Sequence, residues 1–242
     1  MASTEEVRSY YTATLPYYDL SLQDRGDLPF WTSMARRWGA RRILEPGCGT
    51  GRVTSVLSAQ AWTTGVDLLV EMLQRARQRA PAACFVAADL REIAFASKFD
   101  LVILADDPMA HLTSSADRRK VMERLADHLE PAGRLVLEGL YRPPERTSLL
   151  PARSIVRDGE LLFRVDESWV PAGEDALWNA TYRYETGSAV TEVRTVLRSW
   201  TLEETGRLPE CALQVEALWG DFDERPFTHD SARMLIVARP LK

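Results

Sequence analysis

From Arg41 to Leu137 the chain alternates short apolar runs with longer segments in which apolar residues recur at helical spacing. The runs are Arg42–Glu45, Thr63–Val66, Cys84–Ala87, Leu101–Leu104 and Arg134–Leu137. Short apolar runs alternating with helical segments predict parallel strands buried on both faces. Between them, Leu69, Met72, Leu73 and Ala76 share one helical face, as do Val121, Met122, Leu125 and Leu129. These segments read as crossover helices. Ser114, three residues before Asp117, predicts an N-terminal cap for the second, and Pro131-Ala-Gly133 a stop before the next strand.

Past Pro144 the period changes to two. Leu161–Val170, Ala176–Glu185 and Ala189–Trp200 alternate apolar with polar and are separated by turn residues, predicting an antiparallel meander. Thr201-Leu-Glu-Glu reads as a short capped helix. Ala212–Leu218 and Ala232–Ala238 read as strands that pair as a hairpin on the main sheet. The expected organisation is a single α/β domain: a helical segment over 1–40, a core over 41–140, an antiparallel β insertion over 145–200, and a last helix with a hairpin over 201–242.

Composition narrows the function. With 45% hydrophobic and 27% charged residues and no long apolar run, nothing in the sequence suggests a membrane span, and the polar, acidic first residues do not resemble a secretory signal. A cytoplasmic protein is expected. The net charge of −5 argues against nucleic acid as partner, because such binding rests on Lys and Arg displacing counterions. Cys48, Cys84 and Cys211, and His111, His128 and His229, lack the spacings of disulfide frameworks or metal cages, so no metal is expected.

Candidate chemistry begins at Ile43-Leu-Glu-Pro-Gly-Cys-Gly-Thr-Gly51, where three alternate glycines sit at a strand-to-helix turn and let backbone approach a ligand. Asp67 follows Glu45 by 22 residues and Asp89 follows Asp67 by 22, which places both carboxylates on the edge of the sheet where ligands bind. The loop is G-x-G-x-G, not the G-x-G-x-x-G of nicotinamide dehydrogenases.

Glu45-Pro-Gly-Cys-Gly-Thr-Gly51, Val66-Asp67-Leu-Leu-Val-Glu-Met72 and Ala88-Asp89-Leu90 together resemble the class I methyltransferases that use S-adenosylmethionine (SAM). The resemblance is close over 43–137. It implies a Rossmann-like seven-stranded sheet with helices on both faces and an antiparallel last strand. It also implies SAM as cofactor, S-adenosylhomocysteine as product, and a site made by Tyr18, Glu45, Gly47, Cys48, Gly49, Gly51, Asp67, Leu68, Met72, Asp89, Leu90 and Ala105. On that likeness Glu45 positions the methionine amino end, Asp67 takes the ribose hydroxyls, Leu68 and Met72 line the adenine, and Asp89 bonds its amine. Cys48, between glycines, suits packing.

The segment Leu104-Ala-Asp-Asp-Pro-Met-Ala-His111 closes the fourth strand, and Asp106 and His111 are the candidate catalytic groups. It lacks the Asn/Asp-Pro-Pro-aromatic pattern of enzymes acting on planar nitrogens. Tyr10, Tyr11, Tyr17, Tyr18 and Trp31, with Arg25 among them, either form a lid or pack a helix on the sheet. Trp169, Trp178, Tyr182 and Tyr184 in the meander floor an acceptor pocket or form a homodimer interface. The expected reaction moves a methyl group from SAM to an N or O atom of a small molecule by in-line displacement. A noncatalytic SAM-binding protein and a protein methyltransferase are the alternatives.

Overall fold

The computed structural model describes residues 4–23, 25–143, 148–157, 160–173, 176–231 and 233–241. Three helices come first, α1 (Thr4–Thr14), α2 (Tyr18–Ser21) and α3 (Leu28–Arg37). The core then runs β1 (Arg42–Pro46), α4 (Arg52–Leu57), β2 (Trp62–Asp67), α5 (Val70–Arg79), β3 (Cys84–Ala87), β4 (Phe99–Leu104), α6 (Ser115–Asp127) and β5 (Leu129–Gly139). Four antiparallel strands follow: β6 (Ser148–Arg157), β7 (Glu160–Pro171), β8 (Leu177–Thr186) and β9 (Ala189–Arg198). The chain ends with α7 (Leu202–Gly206), β10 (Leu213–Trp219) and β11 (Met234–Pro240). Among the described residues no helix is long and apolar enough to cross a membrane.

Seven strands form the main sheet in the order β10-β11-β5-β4-β1-β2-β3. β11 is antiparallel to both its neighbours, and the pairs from β5 to β3 are parallel. The alternation of strand side chains divides the core. Leu44, Val102, Leu104, Leu135 and Leu137 face α6 and its Met122 and Leu125, while Ile43, Leu101, Ile103 and Val136 face α3 and α4. Phe30, Trp31 and Met34 bring α3 onto that second face. Trp31 is therefore a core residue, with its indole N–H donating to Asp27 at 3.0 Å. Burial of a side chain of this size stabilises by roughly 1.5–3 kcal/mol or more.

The expected caps are present: Ser114 accepts from Asp117 N–H at 3.4 Å and Thr201 from Glu204 N–H at 3.0 Å. Two elements differ from the sequence reading. Leu129 is not on the helix; it pairs with Phe99, so β5 starts before Pro131-Ala-Gly133 and absorbs that segment as a register shift, with Arg134 paired to Leu101. The insertion also has a fourth strand, β6, bulged between Leu150 and Arg153. Pro151 lies in the bulge, where its missing N–H costs no ladder bond.

Candidate active site

The carboxyl ends of β1, β2, β4 and β5 open into one cavity of about 660 Å³, roofed by α1 and α2 and walled on its far side by β7 and β8. The turn after β1 shows why glycine is needed. Gly47, Gly49 and Gly51 have φ of 73°, 53° and 77°, the left-handed region that side chains disfavour. Contact makes the same demand: a Cβ on Gly47 would overlap Pro108, one on Gly49 would lie 2.7 Å from the Tyr18 hydroxyl, and one on Gly51 3.0 Å from Ala76.

Asp67 ends β2 under this turn. Its carboxylate accepts from Gly49 N–H at 2.8 Å and Leu69 N–H at 2.9 Å, while burial raises its pKa above the ordinary value. A carboxylate has about four acceptor sites, so two remain for a ligand's hydroxyls. Leu68, Met72 and Leu90 supply the apolar surface beside it. Asp89 caps the short turn at Leu90–Glu92 and is gripped by Arg91, whose side-chain bonds hold the Asp89 carboxyl below its usual range.

Eleven of the fourteen expected site residues line the cavity: Tyr18, Gly47, Gly49, Asp67, Leu68, Met72, Asp89, Leu90, Ala105, Asp106 and His111. Glu45, Cys48 and Gly51 form the layer behind it. Glu45 is buried, accepts a hydrogen bond from Thr54, and is pushed by burial to a pKa of about 8. Cys48 is buried with its sulfur against Gly65, a packing position.

At the end of β4, Asp106 and Asp107 have φ of 61° and 42°. Consecutive non-glycine residues in this region are strained, and such strain persists only where neighbours over-determine it. Asp107 does so by accepting from Leu140 N–H at 2.7 Å and Met109 N–H at 3.2 Å. Its burial raises its pKa to about 6. Asp106, turned to the cavity, pairs with Arg25. The other Arg25 nitrogen pairs with Glu138 at 2.5 Å, and Glu138 also accepts from Asp106 N–H at 2.8 Å.

Sequence reasoning missed Glu138. Its signal was present, as the lone charged residue of Leu135-Val-Leu-Glu-Gly139 on the same carboxyl edge. His111 sits in the turn before α6, not on it, between Tyr10 and Tyr11 at ring distances of 4.9 and 5.0 Å. Burial depresses its pKa to about 4, leaving a neutral imidazole near pH 7.

The insertion covers this end. Trp169, Tyr182 and Tyr184 project inward from β7 and β8, and Tyr17 stacks on Tyr184 at 4.9 Å while its hydroxyl meets Thr191 at 2.7 Å. Trp178 shares that face but packs in a cluster with Ala110 and Leu197 behind the wall. Tyr10, Tyr11 and Tyr18 line the cavity from α1 and α2.

Residues 43–133 match the methyltransferase domain family. Over 131 residues the chain is 29% identical to the dTDP-3-amino-3,4,6-trideoxy-alpha-D-glucopyranose N,N-dimethyltransferase of Streptomyces venezuelae, covering 53% of this chain and 55% of that protein. The match thus spans about half the length of that relative. The cypemycin N-terminal methyltransferase of a Streptomyces species is 25% identical over 247 residues, covering 94% of this chain and 96% of the relative. In fold, the chain superposes on an S-adenosylmethionine-dependent methyltransferase from Clostridium acetobutylicum with a TM-score of 0.79 at 17% identity, covering 97% of this chain and 100% of the other. Residues 43–133 thus carry a methyltransferase domain, and the sheet order and the glycine turn set against Asp67 and Asp89 agree with the SAM-dependent methyltransferase fold.

Proposed function

We propose that the protein methylates an amine nitrogen of a small molecule, using SAM. The observation that carries this reading is the single cavity, which joins the glycine turn and Asp67 at one end to a carboxylate-and-tyrosine wall at the other. The residues present fit the cofactor: Asp67 has acceptor sites left for two ribose hydroxyls, Leu68 and Met72 offer an apolar face to the adenine, and Gly47 and Gly49 leave backbone bare beside Tyr18. Asp89, oriented by Arg91, would accept from the adenine amine. Glu45, just before the glycine turn, accepts from Thr54 of α4.

Bound SAM supplies a methyl group on a sulfonium, already activated for displacement. The protein's part is alignment and exclusion of water, which in well-oriented reactions is worth up to about 7–11 kcal/mol. Asp106, Glu138 and the tyrosine faces favour a hydrogen-bonding amine at the acceptor end, one that turns cationic as it takes the methyl group. His111, neutral and buried, offers a ring nitrogen that accepts a hydrogen bond from that amine and directs its lone pair. Burial keeps the imidazole neutral, so its part is to orient the amine, and the methylated product keeps its added charge as an ammonium until it leaves the site.

Support for nitrogen over oxygen also comes from the two relatives, one named as an amino-sugar N,N-dimethyltransferase and one as an N-terminal methyltransferase. The second relative matches along nearly its whole length, which favours a peptide α-amine as a second reading of the same aliphatic amine chemistry. The test is incubation with methyl-labelled SAM and a panel of amino sugars, simple amines and short peptides, with products read by mass spectrometry. Label on amine nitrogen is the expected result. Label confined to hydroxyl groups, or SAM binding with no turnover of any amine, overturns the proposal.

A further inference from the structure

The inward face of β7 reads Phe163, Val165, Glu167, Trp169, so one carboxylate stands among apolar and aromatic neighbours. Glu167 is 8% exposed, lies opposite Tyr182 in the β7–β8 register, and lines the cavity. A buried carboxylate costs several kcal/mol unless it is bonded. Only part of that capacity is used: Arg153 bonds one of its oxygens, and the second oxygen is bonded to no described residue. Two positions along, the indole N–H of Trp169 is buried with no hydrogen-bond partner among the described residues, and Trp169 lines the same cavity.

The wall opposite the SAM end thus holds an under-used acceptor at Glu167, which suits a hydrogen-bond donor carried by the acceptor molecule. It is separate from the acids of the transfer site. Asp106 and Glu138 lie at the ends of β4 and β5, whereas Glu167 is on the insertion.

We infer that Glu167 is the acceptor-selecting residue of this site, its carboxylate accepting a hydrogen bond from a hydroxyl or ammonium group that the acceptor carries away from its reacting amine. The inference rests on the methyl-transfer reading of the cavity and names the acceptor class more narrowly: amines bearing a second hydrogen-bond donor. Arg153 holds the Glu167 carboxylate from β6 and donates also to the Ser21 carbonyl of α2 at 2.8 Å, so it joins the selecting residue to the roof.

The test compares kcat/KM for three amines of similar size: a hydroxylated amine, a diamine, and an alkyl amine with no second donor. The parent should prefer the first two, and Glu167→Ala should reduce that preference about ten-fold, the size of one hydrogen bond to a charged group. Glu167→Gln keeps an acceptor oxygen but no charge, so it should lose preference for the diamine more than for the hydroxylated amine. It also serves if the alanine variant does not fold. Arg153→Met separates selection from a structural role, because Glu167 that merely anchors Arg153 to Ser21 would give the same loss in both variants.

Preference lost in the Glu167 variants and kept in Arg153→Met supports the inference. Preference unchanged in Glu167→Ala and Glu167→Gln, or lost equally in Arg153→Met, overturns it while leaving amine methylation standing. A parent enzyme that binds SAM and methylates none of the three overturns the functional reading itself.

Discussion

Asp67 is the residue on which the cofactor end turns, because two of its acceptor sites are filled by Gly49 and Leu69 and fix where the others point. Asp67→Ala should weaken SAM binding by about 2–4 kcal/mol, the loss of two charge-assisted bonds, with the fold retained. Calorimetry on the folded variant checks this, and undiminished affinity would displace the ribose assignment. Glu45 makes a different prediction, about stability. Its folded pKa of about 8 lies above the ordinary 4.5, so between those values the folded state holds a proton that the unfolded chain has released. Stability therefore falls as pH rises through that window. Asp107, raised from 3.8 to about 6, acts in the same direction over its own range. Glu45→Gln keeps an oxygen to accept from Thr54 and has no proton to lose, so its melting temperature should exceed the parent's by several degrees more at pH 8 than at pH 5. Parallel melting curves across pH would contradict the burial of Glu45.

Elements show where sequence is legible and where it is not. Strands β1, β2, β4 and β5 stand out because their central residues are buried and mostly apolar, β3 stands out as a short apolar run although it lies at the sheet edge and is largely exposed, and the glycine turn because only glycine tolerates its dihedrals. β6 does not stand out: Pro151 and the register shift beside it break the period of two. The start of β5 is hidden likewise, since Pro131-Ala-Gly133 has turn composition yet lies within a bulged strand. Site residues follow the same division. Asp67 and Asp89 have a fixed distance along the chain from Glu45, whereas Arg25 meets Glu138 across 113 residues, a contact no local pattern encodes. Within the meander, strand alternation places Trp178 and Tyr182 on one face but does not say which reaches the cavity. Tyr182 lines it and Trp178 packs behind, its indole N–H donating to Ser199 at 3.3 Å. Trp178→Ala should therefore cost about 3–5 kcal/mol of stability through the hole it leaves. Tyr182→Ala should raise KM for the acceptor with little change in SAM affinity. Denaturant unfolding and steady-state kinetics on both variants separate the two roles.

At the scale of the whole molecule, the cavity has three makers: the sheet edge, the insertion, and α1 with α2 above them. The clusters that hold the main sheet together contain no residue before Leu28, so the core does not depend on the two roof helices. What those helices touch is the site. Tyr17 stacks on Tyr184, Tyr10 and Tyr11 flank His111, Tyr18 lies against Gly49, and Asp19 binds Thr50 and Arg79 beside the glycine turn. Removal of residues 1–26 would leave Asp27 with its Arg52 and Trp31 partners, and Glu138 with Arg233 at 3.3 Å, so no carboxylate of that network is left buried and alone. The truncated protein should accordingly melt in one cooperative transition a few degrees below the parent. Methyl transfer should fall much further, on the order of a hundred-fold, because reactants no longer enclosed lose alignment and gain water. Thermal melting and single-turnover transfer to an amine, measured on the same preparation, give the comparison. Equal transfer rates would mean that the tyrosine-rich helices only cap the sheet, and a lost transition would mean that they belong to its core.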